Sequence, residues 1–127
     1  MTDILFLDNN TQSGELEISG AGAHVITAGI NKADTAADES RGKITIAANV
    51  AGNAVTFDGQ VGDVANNKSI KHLHILNNNA AGSVILQGGN FHIAKIQATG
   101  AGALKLNQAN GQYKFGEIVL DLSLIHI

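Results

Sequence analysis

Residues 71–106 read KHLHILNNNAAGSVILQGGNFHIAKIQATGAGALKL. This stretch contains two runs in which aliphatic side chains alternate with polar ones, and each run leads to an Ala-Gly bend, at 81–82 and 101–102. A shorter aliphatic run follows each bend. Alternation with a period of two predicts half-buried β-strands, and glycine permits bend conformations that other residues avoid. The stretch therefore predicts two successive units of strand, bend and strand.

The same Ala-Gly bend occurs at 21–22 and 51–52, so the bends recur at two equal intervals followed by one that is a third shorter. A turn that recurs between strands at fixed periods indicates a chain coiled into stacked rungs. The predicted fold class is all-β: a β-solenoid, in the form of a right-handed parallel β-helix, with rungs of about 20 residues. The runs predicted as strands are 4–7, 15–19, 24–27, 43–46, 54–57, 71–76, 84–86, 91–96, 104–106 and 114–120.

Two polar insertions, at residues 31–42 and 62–69, account for the longer intervals between bends. A solenoid tolerates insertions at its corners because each rung needs only its stacked neighbours. Loops projected from such corners are common recognition elements, so we expect a partner protein to bind there. The residues expected to contact it are Asp34, Asp38, Glu39, Arg41, Asp63, Asn66, Asn67 and Lys68.

The composition of the chain narrows the function classes. The net charge is −3 without a basic run, which argues against nucleic-acid binding. The absence of cysteine excludes disulfides and thiolate metal sites, and the 4% aromatic content predicts an aliphatic core. No apolar run reaches the roughly 18 residues that a membrane-spanning helix needs.

The last six residues, 122–127, read LSLIHI and resemble the in-frame translation of a sequencing-library adapter. We therefore expect a solenoid domain at 1–121 followed by a cloning or assembly scar at 122–127. On this interpretation the chain is an internal piece of a longer protein.

Three histidines form the strongest candidate metal site. His72 and His74 lie on one face of a predicted strand, and His92 belongs to the next unit, so the three imidazoles have the ligand chemistry of Zn²⁺. However, His72 and His74 alternate with Leu73 and Ile75, which is the pattern of an ordinary solvent-facing side. We favour the solvent-facing interpretation and predict no metal or cofactor.

Two groups of carboxylates are weaker candidates. Asp34, Asp38 and Glu39 lie in one polar stretch with the oxygen ligands that Ca²⁺ prefers, but a solvated loop explains them as well. Asp58 and Asp63 flank a glycine turn, and paired carboxylates there would suit acid–base cleavage of a polysaccharide. With few acidic neighbours in the sequence, turn formation is the favoured role. We therefore predict no catalytic residue.

Three segments carry a resemblance to a known family. Residues 52–62 (GNAVTFDGQVG), 70–75 (IKHLHI) and 98–106 (ATGAGALKL) resemble the passenger repeats of bacterial autotransporters, in particular the rickettsial outer-membrane surface antigens of A and B type. The resemblance extends over about residues 14–120 and rests on glycine, asparagine and aliphatic patterns. It specifies rungs rather than a site, so no binding residue carries over.

The resemblance implies a virulence-associated passenger that crosses the outer membrane through its own C-terminal barrel, which is absent from this sequence. Such a passenger stands on the cell surface as a β-helix and often acts as an adhesin, with a host-cell or neighbouring-cell surface protein as partner. We therefore expect a non-catalytic stalk or adhesin. The alternatives are a β-helical polysaccharide lyase or hydrolase, and a structural solenoid of a phage or surface layer.

Overall fold

The computed structural model of the chain describes residues 3–6, 14–19, 23–32, 41–47, 52–76, 82–100, 103–107 and 112–121. These residues form strands and turns without any helix, which confirms the all-β prediction. No helix in this part of the chain is long and apolar enough to cross a membrane. The strands are β1 (Asp3–Phe6), β2 (Glu15–Ser19), β3 (His24–Ile26), β4 (Gly29–Lys32), β5 (Arg41–Ala47), β6 (Gly52–Phe57), β7 (Ile70–Leu76), β8 (Gly82–Leu86), β9 (Phe91–Thr99), β10 (Ala103–Leu106) and β11 (Tyr113–Asp121).

The strands pair in three parallel sheets. The five-stranded sheet has the order β2-β5-β7-β9-β11, and the four-stranded sheet has the order β3-β6-β8-β10. In the third sheet, β1 pairs with β4, and single bridges from Ile30 to Val61 and from Val61 to Phe91 extend it. In the two larger sheets the spatial order of the strands is their order along the chain, so each strand pairs with the next one that reaches the same sheet.

The register joins equivalent residues at recurring intervals. In the five-stranded sheet one ladder joins Leu16, Ile44, Leu73, Ile96 and Ile118, and its first two steps along the chain are longer than its last two. In the four-stranded sheet the shortest step is the one between β8 and β10, as the spacing of the bends predicts. The longer intervals are those that contain the two polar insertions.

The core consists of the side chains that point inward from alternate strand positions. Most of them are isoleucine, leucine and valine, as the composition predicts. Two phenylalanines, Phe57 and Phe91, are also fully buried, and the Phe91 ring stacks on Tyr113 at a centroid distance of 5.5 Å. The other large side chains in the core are Ile30, Ile44, Ile46, Ile70, Leu73, Ile75, Leu86, Ile93 and Ile96.

The first insertion is shorter than the sequence predicts. Its first two residues belong to β4, whose Ile30 is fully buried, and its last two residues begin β5. Ile30 donates a backbone hydrogen bond to Gln60 and accepts one from Gly62, at 2.9 and 2.7 Å. Strand β4 therefore forms because of distant backbone partners, which a local pattern does not reveal. The insertion that remains is residues 33–40.

Candidate functional site

The second insertion, residues 62–69, is a compact hairpin that we call the corner loop. It connects Val61 in the third sheet to β7 in the five-stranded sheet. Asp63 and Lys68 form an antiparallel bridge in which each backbone N–H donates to the other carbonyl, at 2.7 and 2.8 Å. Asn67 has a positive φ of 53°, which is the left-handed conformation that closes such short turns. The loop therefore holds its exposed tip in a defined shape.

Side chains within the corner loop reinforce this shape. The Asp63 carboxylate accepts hydrogen bonds from the backbone N–H and from Nδ2 of Asn66, at 3.1 and 2.7 Å. The side-chain bond from Asn66 holds the pKa of Asp63 below its ordinary value, and the charge of Lys68 contributes to the lowering. Lys114 Nζ on β11 donates to Asn67 Oδ1 at 3.2 Å. Four predicted contact residues thus lie together in one hairpin.

The base of the corner loop lies directly against β9. Gly62 has a φ of 76°, and a Cβ at this position would be 2.2 Å from the backbone oxygen of His92. The backbone N–H of His92 donates to the Val61 carbonyl at 2.7 Å, and a ring nitrogen of His92 lies 3.4 Å from the Asp63 carbonyl. The loop is therefore fixed at its base as well as within the hairpin.

Replacing Asn67 by alanine is expected to lower the free energy of unfolding by about 1 kcal/mol, since alanine must adopt a left-handed conformation there. Replacing it by glycine removes the same hydrogen bond from Lys114 without this strain, so the glycine variant serves as the control. Urea unfolding of the two variants measures the difference. If alanine and glycine at position 67 gave equal stability, the left-handed turn would not be present in solution.

The remaining predicted contact residues are only partly described. Asp34, Asp38 and Glu39 lie outside the described residues, and Arg41 is the first residue of β5, where its backbone pairs with Ile70. The 33–40 segment connects β4 to β5. It therefore joins the third sheet to the five-stranded sheet, as the corner loop does.

A second candidate surface is the outward side of the five-stranded sheet, which we call the polar face. Its side chains alternate with the buried Leu73 and Ile75 and their equivalents on neighbouring strands. The register arranges them in two ladders that cross all five strands. The first ladder contains Glu15, Lys43, His72, Lys95 and Glu117, and the second contains Glu17, Thr45, His74, Gln97 and Val119.

Two half-buried histidines occupy the centre of the polar face. The rings of His72 and His74 stack with a centroid distance of 5.3 Å and an interplanar angle of 9°. A ring nitrogen of His74, Nε2, lies 3.2 Å from Thr99 Oγ1, whereas Nε2 of His72 is buried without a hydrogen-bond partner. The sequence correctly predicts that this side faces outward but does not predict that its histidines are half buried.

Burial is the main cause of a lowered pKa for both histidines. The charges of Lys43 and Lys95 lower each pKa further, and for His72 the neighbouring His74 also contributes. The Gln97 side chain beside His72 and the Glu15 charge near His74 act in the opposite direction but are the smallest influences. The two rings are therefore predominantly neutral at neutral pH.

The stability of the chain is expected to fall as the pH is lowered from 7.5 to 5.5. A lowered folded-state pKa means that the unfolded chain binds more protons, so the stability gained from neutral His72 and His74 is complete above pH 6.5 and is lost below it. Melting temperatures of the wild type and of an H72Q/H74Q variant at both pH values measure this effect. The variant should lose less stability on acidification, and an equal loss in both proteins would contradict the prediction.

The structure does not bring the three candidate zinc ligands together. His92 pairs with Lys114 and lies at the base of the corner loop, whereas His72 pairs with Lys95 on the polar face. Among the described residues, no group of three or more His, Cys, Asp or Glu side chains is arranged to hold a metal ion.

The two carboxylates considered for acid–base chemistry take part in different local structures. The backbone N–H of Asp58 donates to Ile26, and its Oδ1 accepts a hydrogen bond from Gln87 Nε2 at 3.3 Å. Asp63 instead closes the corner loop through Asn66. Asp63 therefore stabilises a turn, whereas the Asp58 side chain contacts a residue that is distant in sequence.

Comparison with known proteins adds no relative from which a role can be transferred. No protein-family model, curated protein or solved structure matches the chain.

Proposed function

We propose that the chain winds as a β-solenoid, in the right-handed form of a parallel β-helix. The observation that carries this proposal is the agreement between chain order and spatial order in both large sheets. Each turn of this solenoid contributes one strand to the five-stranded sheet and one strand to the four-stranded sheet. It also contributes a strand or a single bridging residue to the third sheet. A register step is the stretch of chain between two paired residues on neighbouring strands. The shortest step runs from Ser83 to Ala103, and one of the longest runs from His24 to Val55. Rungs of these lengths suit this winding.

We further propose that this solenoid is a non-catalytic segment of a cell-surface autotransporter passenger that acts as a stalk and adhesin. The resemblance of residues 52–62, 70–75 and 98–106 to passenger repeats supports this role. The corner loop supports the adhesive part, because it presents a rigid, exposed tip to a protein on a host or neighbouring cell.

Surface display is tested on cells that carry the gene. Antibodies raised against this chain should label intact cells, and a long sequence read across the locus should find an export signal upstream and a membrane-embedded domain downstream. Labelling only after permeabilisation, or a reading frame without both flanking elements, would overturn the proposed location. A periplasmic marker protein provides the control for cell integrity.

The adhesive role is tested with a matched pair of substitutions. Ala65 is exposed at the tip of the corner loop, and Ala103 is exposed on β10. Beads coated with wild-type protein should bind cultured host cells, Ala65→Arg should reduce this binding severalfold, and Ala103→Arg should leave it unchanged. Equal binding by all three proteins would exclude the corner loop as the contact.

A further inference from the structure

We propose that the polar face binds polyanionic polysaccharides through a cationic site formed by Lys43, His72 and Lys95. The site follows from geometry in the described residues and goes beyond the proposed function, on which it does not depend. Its ligand class is a sugar chain bearing sulfate or carboxylate groups.

The register places the three side chains in one line across three adjacent strands. Lys43 pairs with His72, and His72 pairs with Lys95. Neighbouring strands are about 4.8 Å apart, so the two lysines lie on either side of the histidine with their Cα atoms roughly 10 Å from each other. An anion bound between the two lysines would be attracted by both ammonium groups.

Each lysine has a glutamate as its outer neighbour in the ladder, Glu15 beside Lys43 and Glu117 beside Lys95. Within the described part of the chain, neither Lys43 nor Lys95 forms an ion pair. Glu15, the residue next to Lys43 in the ladder, accepts a hydrogen bond from Thr45 Oγ1 at 2.9 Å. The ammonium groups of Lys43 and Lys95 are therefore available to bind a sulfate or carboxylate group from outside the protein.

The form of the surface favours an extended polysaccharide as the ligand. The cations lie on an outward sheet face, where an isolated anion stays hydrated and binds weakly, whereas a repeating anion gains from several contacts at once. The neighbouring ladder supplies His74 and Gln97, whose polar groups suit sugar hydroxyls. The aromatic rings of the two ladders are those of His72 and His74, which are half buried and stack on each other. Bases of single-stranded nucleic acid need exposed rings on which to stack, which favours a sugar chain.

Protonation of the two histidines should strengthen the site. At pH 5.5 more of His72 and His74 is charged than at pH 7.5, so the face gains positive charge between the lysines. The three glutamates of the face lie on its two outer strands, so the three central strands carry the positive charge. The charged and titratable groups that face these rings from the adjoining strands are Glu15 and Glu17 on β2, Lys43 on β5, Lys95 on β9 and Glu117 on β11.

The test measures binding of the whole chain to fluorescent dextran sulfate, with uncharged dextran of the same length as the ligand control. Binding should be confined to dextran sulfate, should be several times tighter at pH 5.5 than at 7.5, and should weaken in salt. The variant K43Q/K95Q should bind about threefold to thirtyfold more weakly, as expected for the loss of two exposed ionic contacts. The variant K105Q/K114Q removes the same charge from β10 and from the start of β11, away from the site, and should bind like the wild type.

Several outcomes would overturn the proposal. Absence of binding to dextran sulfate at low salt would do so, as would an equal loss in the two double variants, which would indicate a diffuse charge effect. Equal or tighter binding to single-stranded DNA would assign the face to nucleic acid instead. Melting curves of both variants confirm that each is folded, so that lost binding reports on the site.

Discussion

Replacing Gly88 by alanine is expected to lower the free energy of unfolding by about 4 kcal/mol or more, which is among the largest effects of a single substitution. A Cβ at residue 88 would lie 2.1 Å from the backbone carbon and 2.3 Å from the backbone oxygen of Asp58. These atoms directly follow β6, which pairs with β8, and backbone cannot move aside as a flexible side chain can. The segments at Asp58 and Gly88 must therefore separate to admit a methyl group.

The neighbouring glycine supplies the control for this experiment. Gly89 has a φ of 110°, but a Cβ there would meet no atom within 4 Å. The variant Gly89→Ala should therefore lose only the cost of backbone strain, about 1–3 kcal/mol. Urea unfolding followed by circular dichroism compares the two variants. A larger loss at residue 89 than at residue 88 would contradict the close stacking of the bend on Asp58.

The second large effect is expected in the core of the four-stranded sheet. Leu86 is fully buried on β8, and its partner Leu106 holds the same ladder position on β10 but is 51% exposed. The variant Leu86→Ala should lose about 2–5 kcal/mol of stability because it leaves a cavity. The variant Leu106→Ala should lose less than about 1 kcal/mol because its side chain is only half removed from water.

The comparison of Leu86→Ala with Leu106→Ala also tests whether β10, the outer strand of the four-stranded sheet, is exposed in solution. Both substitutions remove the same atoms, so the difference between them measures burial alone. Equal losses, independent of protein concentration, would mean that Leu106 is covered within one chain and would contradict the exposed position of β10. If the loss at Leu106 instead grew with protein concentration, a second copy of the chain would be covering β10.

The sequence predicts most strands because their pattern is local. In β7, for example, Leu73 and Ile75 alternate with His72 and His74, and this alternation is visible without any knowledge of the partners. Strand β4 lacks such a pattern, since Ile30 is its only large aliphatic residue. Its hydrogen bonds connect it to the segment 60–62, which is distant in sequence, and this explains why the third sheet is not predicted.

The two candidate sites also differ in whether a local sequence pattern predicts them. The corner loop is predictable because its polar composition and its position between strands are local features. The proposed cationic site on the polar face is not, since Lys43 and Lys95 lie on different strands from His72 and pair with it only through the register. The separation of His92 from the other two histidines is also not visible in a local pattern. His92 lies at the start of β9, where the strand borders the corner loop.

The corner between the third sheet and the five-stranded sheet gives the fold a site of insertional tolerance. Two segments of unrelated sequence, 33–40 and 62–69, enter there, whereas β9 and β11 continue into the five-stranded sheet without any insertion. In the five-stranded sheet the strands that follow these segments keep a constant register, in which Lys43 pairs with His72 and His72 with Lys95. Evolution or protein engineering can therefore change what this corner displays, by adding or removing whole peptides, while leaving the ladders that determine folding untouched.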